Sequence, residues 1–207
     1  IETDRRIIAI GMAVPGPYLR NVGRTAVVSS MRGWQKVNFI HEFSNAFTVP
    51  VFVEQDARAG AMAQYLFDPT ITTENLAYYL VGEGVGLGVI DHGNIINGAL
   101  GAATEIGHVS IDINGKPCDC GNVGCLERYC STPAIHEMIL KEGDLIADAG
   151  TMTHLQACRA LFALARGGDK RAIALIKRVA RYVGFGCITI FNSFNPSPVS
   201  YTHLRAH

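Results

Sequence analysis

Between residues 108 and 125 the chain gathers one histidine and three cysteines, His108, Cys118, Cys120 and Cys125, in a segment broken by Gly115, Gly121 and Gly124. An imidazole and three thiolates make a ligand set suited to tetrahedral zinc, and the glycines let the backbone turn tightly around an ion. Four protein ligands close such an ion to water, so its role is structural: it clamps the loop and fixes neighbouring side chains. Two other readings of the same residues stand beside this one. A redox-active dithiol is the first, although the close pair here is C-x-C and leaves His108 and Cys125 without a part; a set of buried thiols is the second. Three cysteines within eight positions also point away from a disulfide framework and toward a reducing, cytoplasmic setting. Cys130, Cys158 and Cys187 fall in predicted helices and read as core residues.

Around this segment the hydrophobic pattern is that of an α/β protein. Ile7 to Val14 is a short apolar run stopped by Pro15-Gly16-Pro17, which suits a buried strand. Helical spacing of apolar residues from Val37 to Phe47, with Pro50 just beyond, predicts an amphipathic helix. Val51 to Val53 reads as a strand, and Asp56 stands where a cap is expected for a helix through Ala59, Ala63 and Leu66 that breaks at Asp68-Pro69. Strand, helix, strand, helix in this order indicates an α/β sheet. The pattern then changes: Leu76 to Val81 and Val85 to Ile90 predict strands, and Asp91-His92-Gly93-Asn94 predicts a hairpin turn into Ile95-Ile96. Thr132 to Leu140, Leu155 to Ala165 and Arg171 to about Phe194 predict helices, the last ended by Asn195-Pro196. A boundary near residue 70 thus separates the remainder of an N-terminal α/β lobe, 1–70, from a second α/β lobe, 71–199, that carries the cysteine loop and the C-terminal helices. Val199 is expected to open one more strand, but 200–207 lack β alternation and read as a non-native tail.

Charge narrows the function classes. Eighteen basic and eighteen acidic side chains give a formal net charge of zero, so no chain-wide field attracts nucleic acid or anionic membranes. Polar residues interrupt every apolar stretch short of the ~20 residues a membrane helix requires. The opening Ile1-Glu2-Thr3-Asp4-Arg5-Arg6 is unlike a signal peptide, and without an initiating Met the chain is expected to begin inside a longer protein.

Several short motifs, in order, resemble the ROK family of bacterial sugar kinases and sugar-responsive transcriptional repressors. They are Val14-Pro15-Gly16-Pro17, Glu54-Gln55-Asp56-Ala57, the glycine run from Gly82 to Gly88, and Glu105-Ile106-Gly107-His108 followed by the cysteine loop and Cys125-Leu126-Glu127. The resemblance runs from about Ile7 to Val199. It implies a two-lobed actin-like ATPase (ribonuclease H-like) fold, partial here, with a zinc-binding loop, a sugar in the interlobe cleft, and a homodimer or higher oligomer. By the same resemblance Asp56 contacts the sugar 6-hydroxyl and, in a kinase, is the general base on it. Gln55 stands in place of the family's usual Asn and can still hydrogen-bond a hydroxyl. Glu105, His108 and Glu127 are implied to hold hydroxyls near the anomeric end, His108 using one ring nitrogen for zinc and the other for sugar.

One position bears on which branch of the family the chain resembles. Its kinases carry a Gly-Thr-Gly phosphate loop, where this chain has Gly82-Glu83-Gly84, followed by Val85-Gly86. Glu83 replaces a hydroxyl donor by a negative charge directed at a polyphosphate, which disfavours phosphoryl transfer. The expectation is a sugar-binding effector domain of a transcriptional regulator, not an enzyme, meeting DNA only through a helix-turn-helix outside these residues. The alternative is an ATP- and Mg²⁺-dependent hexose kinase with Asp56 as base.

Overall fold

The computed structural model describes residues 7–26 and 33–203. Strand β1 (Ile10–Val14), the short antiparallel pair β2 (Tyr18–Leu19) and β3 (Arg24–Thr25), helix α1 (Phe39–Ala46) and strand β4 (Val51–Gln55) lead into helix α2 (Asp56–Phe67). Strands β5 (Leu76–Val81), β6 (Val85–Asp91) and β7 (Asn94–Ile95) come next. Helices α3 (Glu127–Cys130), α4 (Thr132–Lys141), α5 (His154–Arg166) and α6 (Lys170–Phe194) and strand β8 (Val199–His203) complete the chain.

Two sheets carry the architecture. β1 and β4 pair in parallel, from Ile10 opposite Val51 to Val14 opposite Gln55, with α1 in the crossover between them. The larger sheet has the order β7-β6-β5-β8. Its β5–β6 hairpin closes at the Val81–Val85 pair, leaving Gly82-Glu83-Gly84 as the turn. The first strand is shorter than its apolar run: Ile7 and Ile8 lie outside it and are exposed.

Small residues allow the layers to approach. A Cβ on Gly88 of β6 would stand 2.7 Å from Ala61 Cβ of α2, so only glycine lets this helix lie on the strand. On the opposite side a Cβ on Gly186 would lie 3.1 Å from Leu126 Cδ2 and overlap the Tyr79 phenol, which seats α6 against β5 and α3. Along α6 the buried positions Ala172, Leu175 and Val179 recur at the three- and four-residue steps of one helix face. They join Tyr79, Leu87, Val89, Leu126, Ile135 and Leu161 in the main core. The N-terminal part has only a small core of Val14, Tyr18 and Phe39.

Two local expectations need correction. Gln55, not Asp56, caps α2: its Oε1 accepts from Arg58 N at 3.0 Å, and Asp56 is the first helical residue. The cause is backbone geometry, since Gln55 is still extended at φ −65° and ψ 140° while the helix begins at the next residue. Strand structure also continues past Val199 to His203, in parallel register from Ala77 opposite Val199 to Val81 opposite His203. A strand added to an existing sheet takes its hydrogen bonds from its neighbour's main chain and does not require side-chain alternation to form. Residues 204–207 of the expected tail lie outside the described residues. Among the described residues no helix is long and apolar enough to cross a membrane.

Candidate functional site

A cavity of about 480 Å³ opens where the end of β4, the β5–β6 turn and the first turn of α3 converge. That volume suits a small polar ligand. Every residue expected to contact sugar lines it: Gln55, Asp56, Glu105, His108 and Glu127, together with Gly82, Glu83, Gly84 and Gly86 of the turn. Pro15 and Gly16 line it as well.

Each side chain reaches the cavity through its own local device. Gln55 is buried by its capping role, and Asp56 follows it, with Oδ1 accepting from Ala57 N at 2.7 Å. Burial raises the Asp56 carboxyl above its ordinary value, against the lowering effect of that hydrogen bond. Glu105 stands just before the single 3₁₀ turn Ile106–His108, which projects Glu105 and His108 from one short segment. A Cβ on Gly107 would lie 3.0 Å from Val85 Cβ, so the turn sits directly on β6. Burial pushes the Glu105 carboxyl up to about 7, Arg58 pulls it down, and Asp56 and Glu127 push it further up. Its Oε1 is buried and, among the described residues, has no hydrogen-bond partner. A buried acceptor left open at a cavity wall is ready for a ligand hydroxyl. Glu127 opens α3, and its Oε2 accepts from Val85 N at 2.9 Å, which ties the acid to the glycine-rich turn.

Glu83 is exposed and does not simply point across the cavity. Its Oε1 accepts from Thr132 Oγ1 at 2.6 Å, and its Oε2 lies 2.9 Å from His154 Nδ1. Burial alone acts to raise its pKa, but the hydrogen bonds from Thr132 and His154 outweigh that and hold the carboxyl below its ordinary value.

The cysteine loop adjoins the same wall. Ligand atoms of His108, Cys118, Cys120 and Cys125 all lie within 4.8 Å of one another. Cys120 and Cys125 sulfurs are 3.7 Å apart, and His108 Nδ1 is 3.7 Å from Cys118 Sγ. Tight turns make this possible. Gly121 and Gly124 take φ of +90° and +70°, and a Cβ on Gly124 would collide with the Asp112 carbonyl. Burial, then the neighbouring thiols, push the Cys125 thiol up to about 12. Three sulfurs crowded in this way accept thiolate charge together only with a cation among them, so the donor set fits a metal ion.

Some lining residues had no signal in the sequence. Asp119, Arg128, Ser131, Pro133 and His154 also face the cavity. Arg128 follows Glu127 directly and was within reach of the motif, whereas His154 arrives from a helix 71 positions beyond Glu83. Arg58 is fully buried, with Nε donating to Glu54 Oε1 at 2.8 Å and Nη2 to the Tyr18 carbonyl at 3.2 Å.

A turn of glycines, a row of carboxyl side chains and a His–Cys₃ loop thus meet at one cavity of an α/β chain. The ROK family model matches residues 2–200, and the chain belongs to that family. It is 33% identical over 195 residues to the xylose repressor of Bacillus subtilis, covering 93% of this chain and 47% of the repressor. It is 30% identical over 200 residues to the glucokinase of Halalkalibacterium halodurans, covering 93% of this chain and 60% of the glucokinase. The crystal structure of a ROK hexokinase from Thermus thermophilus superimposes with a TM-score of 0.75 at 30% identity, over 95% of this chain and 62% of the hexokinase. The chain therefore spans about half the length of the repressor it matches.

Proposed function

We propose that this chain is the sugar-binding effector region of a ROK-family transcriptional regulator. The observation that carries this reading is Glu83: the turn that faces the cavity holds a carboxylate whose oxygens engage Thr132 and His154. A sensor needs differential binding between two conformations and does not need to react with its ligand. Similarity to a xylose repressor supports the same choice. The ligand is a hexose or a similar sugar, held by Gln55, Asp56, Glu105, His108 and Glu127. DNA contact belongs to residues outside this chain, in keeping with its zero net charge, and a homodimer or higher homo-oligomer is the assembly we expect.

The ion of the His–Cys₃ loop is zinc. A tetrahedron with Zn–S bonds of about 2.3 Å has an edge of about 3.8 Å, and the Cys120–Cys125 sulfurs stand 3.7 Å apart. When bound, the ion neutralises the thiolates and locks the loop. His108, with Nδ1 toward Cys118, then presents its other ring nitrogen to the cavity as a fixed hydrogen-bonding group.

The second reading is a hexose kinase that uses ATP and Mg²⁺. Asp56 favours it, as a carboxylate at the cavity whose raised pKa suits a general base. One set of measurements separates the two. Calorimetry with xylose, glucose and N-acetylglucosamine is expected to show binding that weakens at least about tenfold in Asp56→Ala and Glu105→Ala, the loss of a hydrogen bond to a charged group. A coupled ATP-consumption assay on the full-length protein is expected to show no sugar-dependent turnover; turnover abolished by Asp56→Asn would restore the kinase.

A further inference from the structure

Among the described residues, five acids, Asp56, Glu83, Glu105, Asp119 and Glu127, line the cavity, with Arg128 as the one guanidinium. Such a wall offers acceptors to hydroxyl groups, and those of its acids that are ionised, Glu83 with its lowered pKa among them, repel an anion more strongly in a partly enclosed cavity than in open water. Asp56 and Glu127 each accept a backbone N–H, while Glu105 Oε1 is left open for a hydroxyl.

Glu83 differs from these in what it occupies. Thr132 and His154 supply a hydroxyl and an imidazole at the first residues of α4 and α5, the kind of donors that a phosphate group would recruit. Both are already taken by the Glu83 carboxylate, at 2.6 Å and 2.9 Å. An incoming phosphate beside Glu83 loses these donors and meets a like charge in their place.

We propose that Glu83 is a specificity-determining residue: it makes the site accept an unphosphorylated sugar and reject the phosphate ester of the same sugar. The inference rests on the sugar-sensing reading and sharpens it by setting the charge of the ligand. It also distinguishes the role of Glu83 from that of the hydroxyl-binding acids, because its effect appears in the ratio of two affinities.

Calorimetry on the protein with glucose against glucose 6-phosphate, and N-acetylglucosamine against N-acetylglucosamine 6-phosphate, tests it. The wild type is expected to bind a free sugar at least about thirtyfold more tightly than its ester, a modest part of what several like charges at short range can impose. In Glu83→Gln, which keeps an acceptor for Thr132 and His154, the ratio is expected to shrink about three- to tenfold. Glu83→Thr, which also frees both donors, is expected to shrink it at least as far. Raising the salt concentration is expected to narrow the wild-type ratio and to have less effect in Glu83→Gln, a response that loss of packing alone does not produce. A phosphate ester that binds wild type as tightly as the free sugar overturns this inference and leaves the sugar-sensing reading intact. An unchanged ratio in both variants overturns it as well. Failure of every ester and of every free sugar, xylose included, to bind overturns the inference together with the reading beneath it.

Discussion

Strands β4 and β6 both deliver residues to the cavity, yet they are built differently. Six of the seven residues of β6 are buried, whereas β4 buries only Gln55 of its five. β6 lies between β5 and β7 with α2 on one face, and its neighbours belong to the main core. β4 pairs with β1 alone among the described strands, and its second residue, Phe52, is 66% exposed. Among the described residues the cavity thus has one stiff wall, backed by the main core, which carries the glycine turn, Glu105 and Glu127, and one thin wall, a two-stranded sheet, which carries Gln55 and Asp56.

The largest effect is expected where the stiff wall meets the metal loop. Cys125 bridges to Ser110 in a short antiparallel contact, and the next residue, Leu126, is part of the main core. Cys125→Ser is expected to reduce bound metal from about one ion per chain to nearly none by mass spectrometry, with loss of sugar affinity as His108 is released. Metal-free protein that keeps its fold and its sugar affinity would detach the loop from the wall and break the comparison.

Packing should separate the walls next. Leu87 is 1% exposed, so Leu87→Ala is expected to cost about 2–5 kcal/mol in urea unfolding, by lost burial and the cavity left behind. Phe52→Ala on the thin wall is expected to change stability by no more than roughly 0.5 kcal/mol, the range of surface substitutions. Equal costs at the two sites would mean that β4 is covered in solution as fully as β6.

The smallest expected effect concerns how the metal loop is tied to α4. Lys116 of the loop and Lys141 each hydrogen-bond Glu137, at 2.8 Å and 2.7 Å. These bonds hold the Glu137 carboxyl down at about 2, against an ordinary value of 4.5. A depressed carboxyl stabilises the fold fully above pH 4.5 and loses that contribution as the pH falls toward 2. Glu137 is 39% exposed, so screening limits the effect to under about 1 kcal/mol. Comparing Glu137→Gln with wild type by thermal unfolding is expected to show a small loss at pH 7 that disappears near pH 2. A difference that does not change with pH would assign the contact to packing and not to charge.

Local chemistry made much of this protein legible from its residues. The alternating and helical periods place β5, β6, α4, α5 and α6 close to their observed bounds, because a strand or helix with one buried face imposes its period on the chain. His108, Cys118, Cys120 and Cys125 were recognisable as one ligand set because glycine turns bring residues of similar sequence number into one cluster. Other features depended on parts of the chain distant in sequence. The strand Val199–His203 forms because β5 offers it a free edge, and no pattern within those five residues states that. Glu83 could be read as a charge in a phosphate turn, but its engagement by Thr132 and His154 required α4 and α5 to dock beside the turn. The buried, unpartnered oxygen of Glu105 is of the same kind: sequence supplies the carboxyl, and only the packing of β6, α2 and the 3₁₀ turn removes it from water without giving it a donor. Residue type determines which chemistry is possible, while burial and long-range neighbours determine the charge and the free valence with which each group meets a ligand.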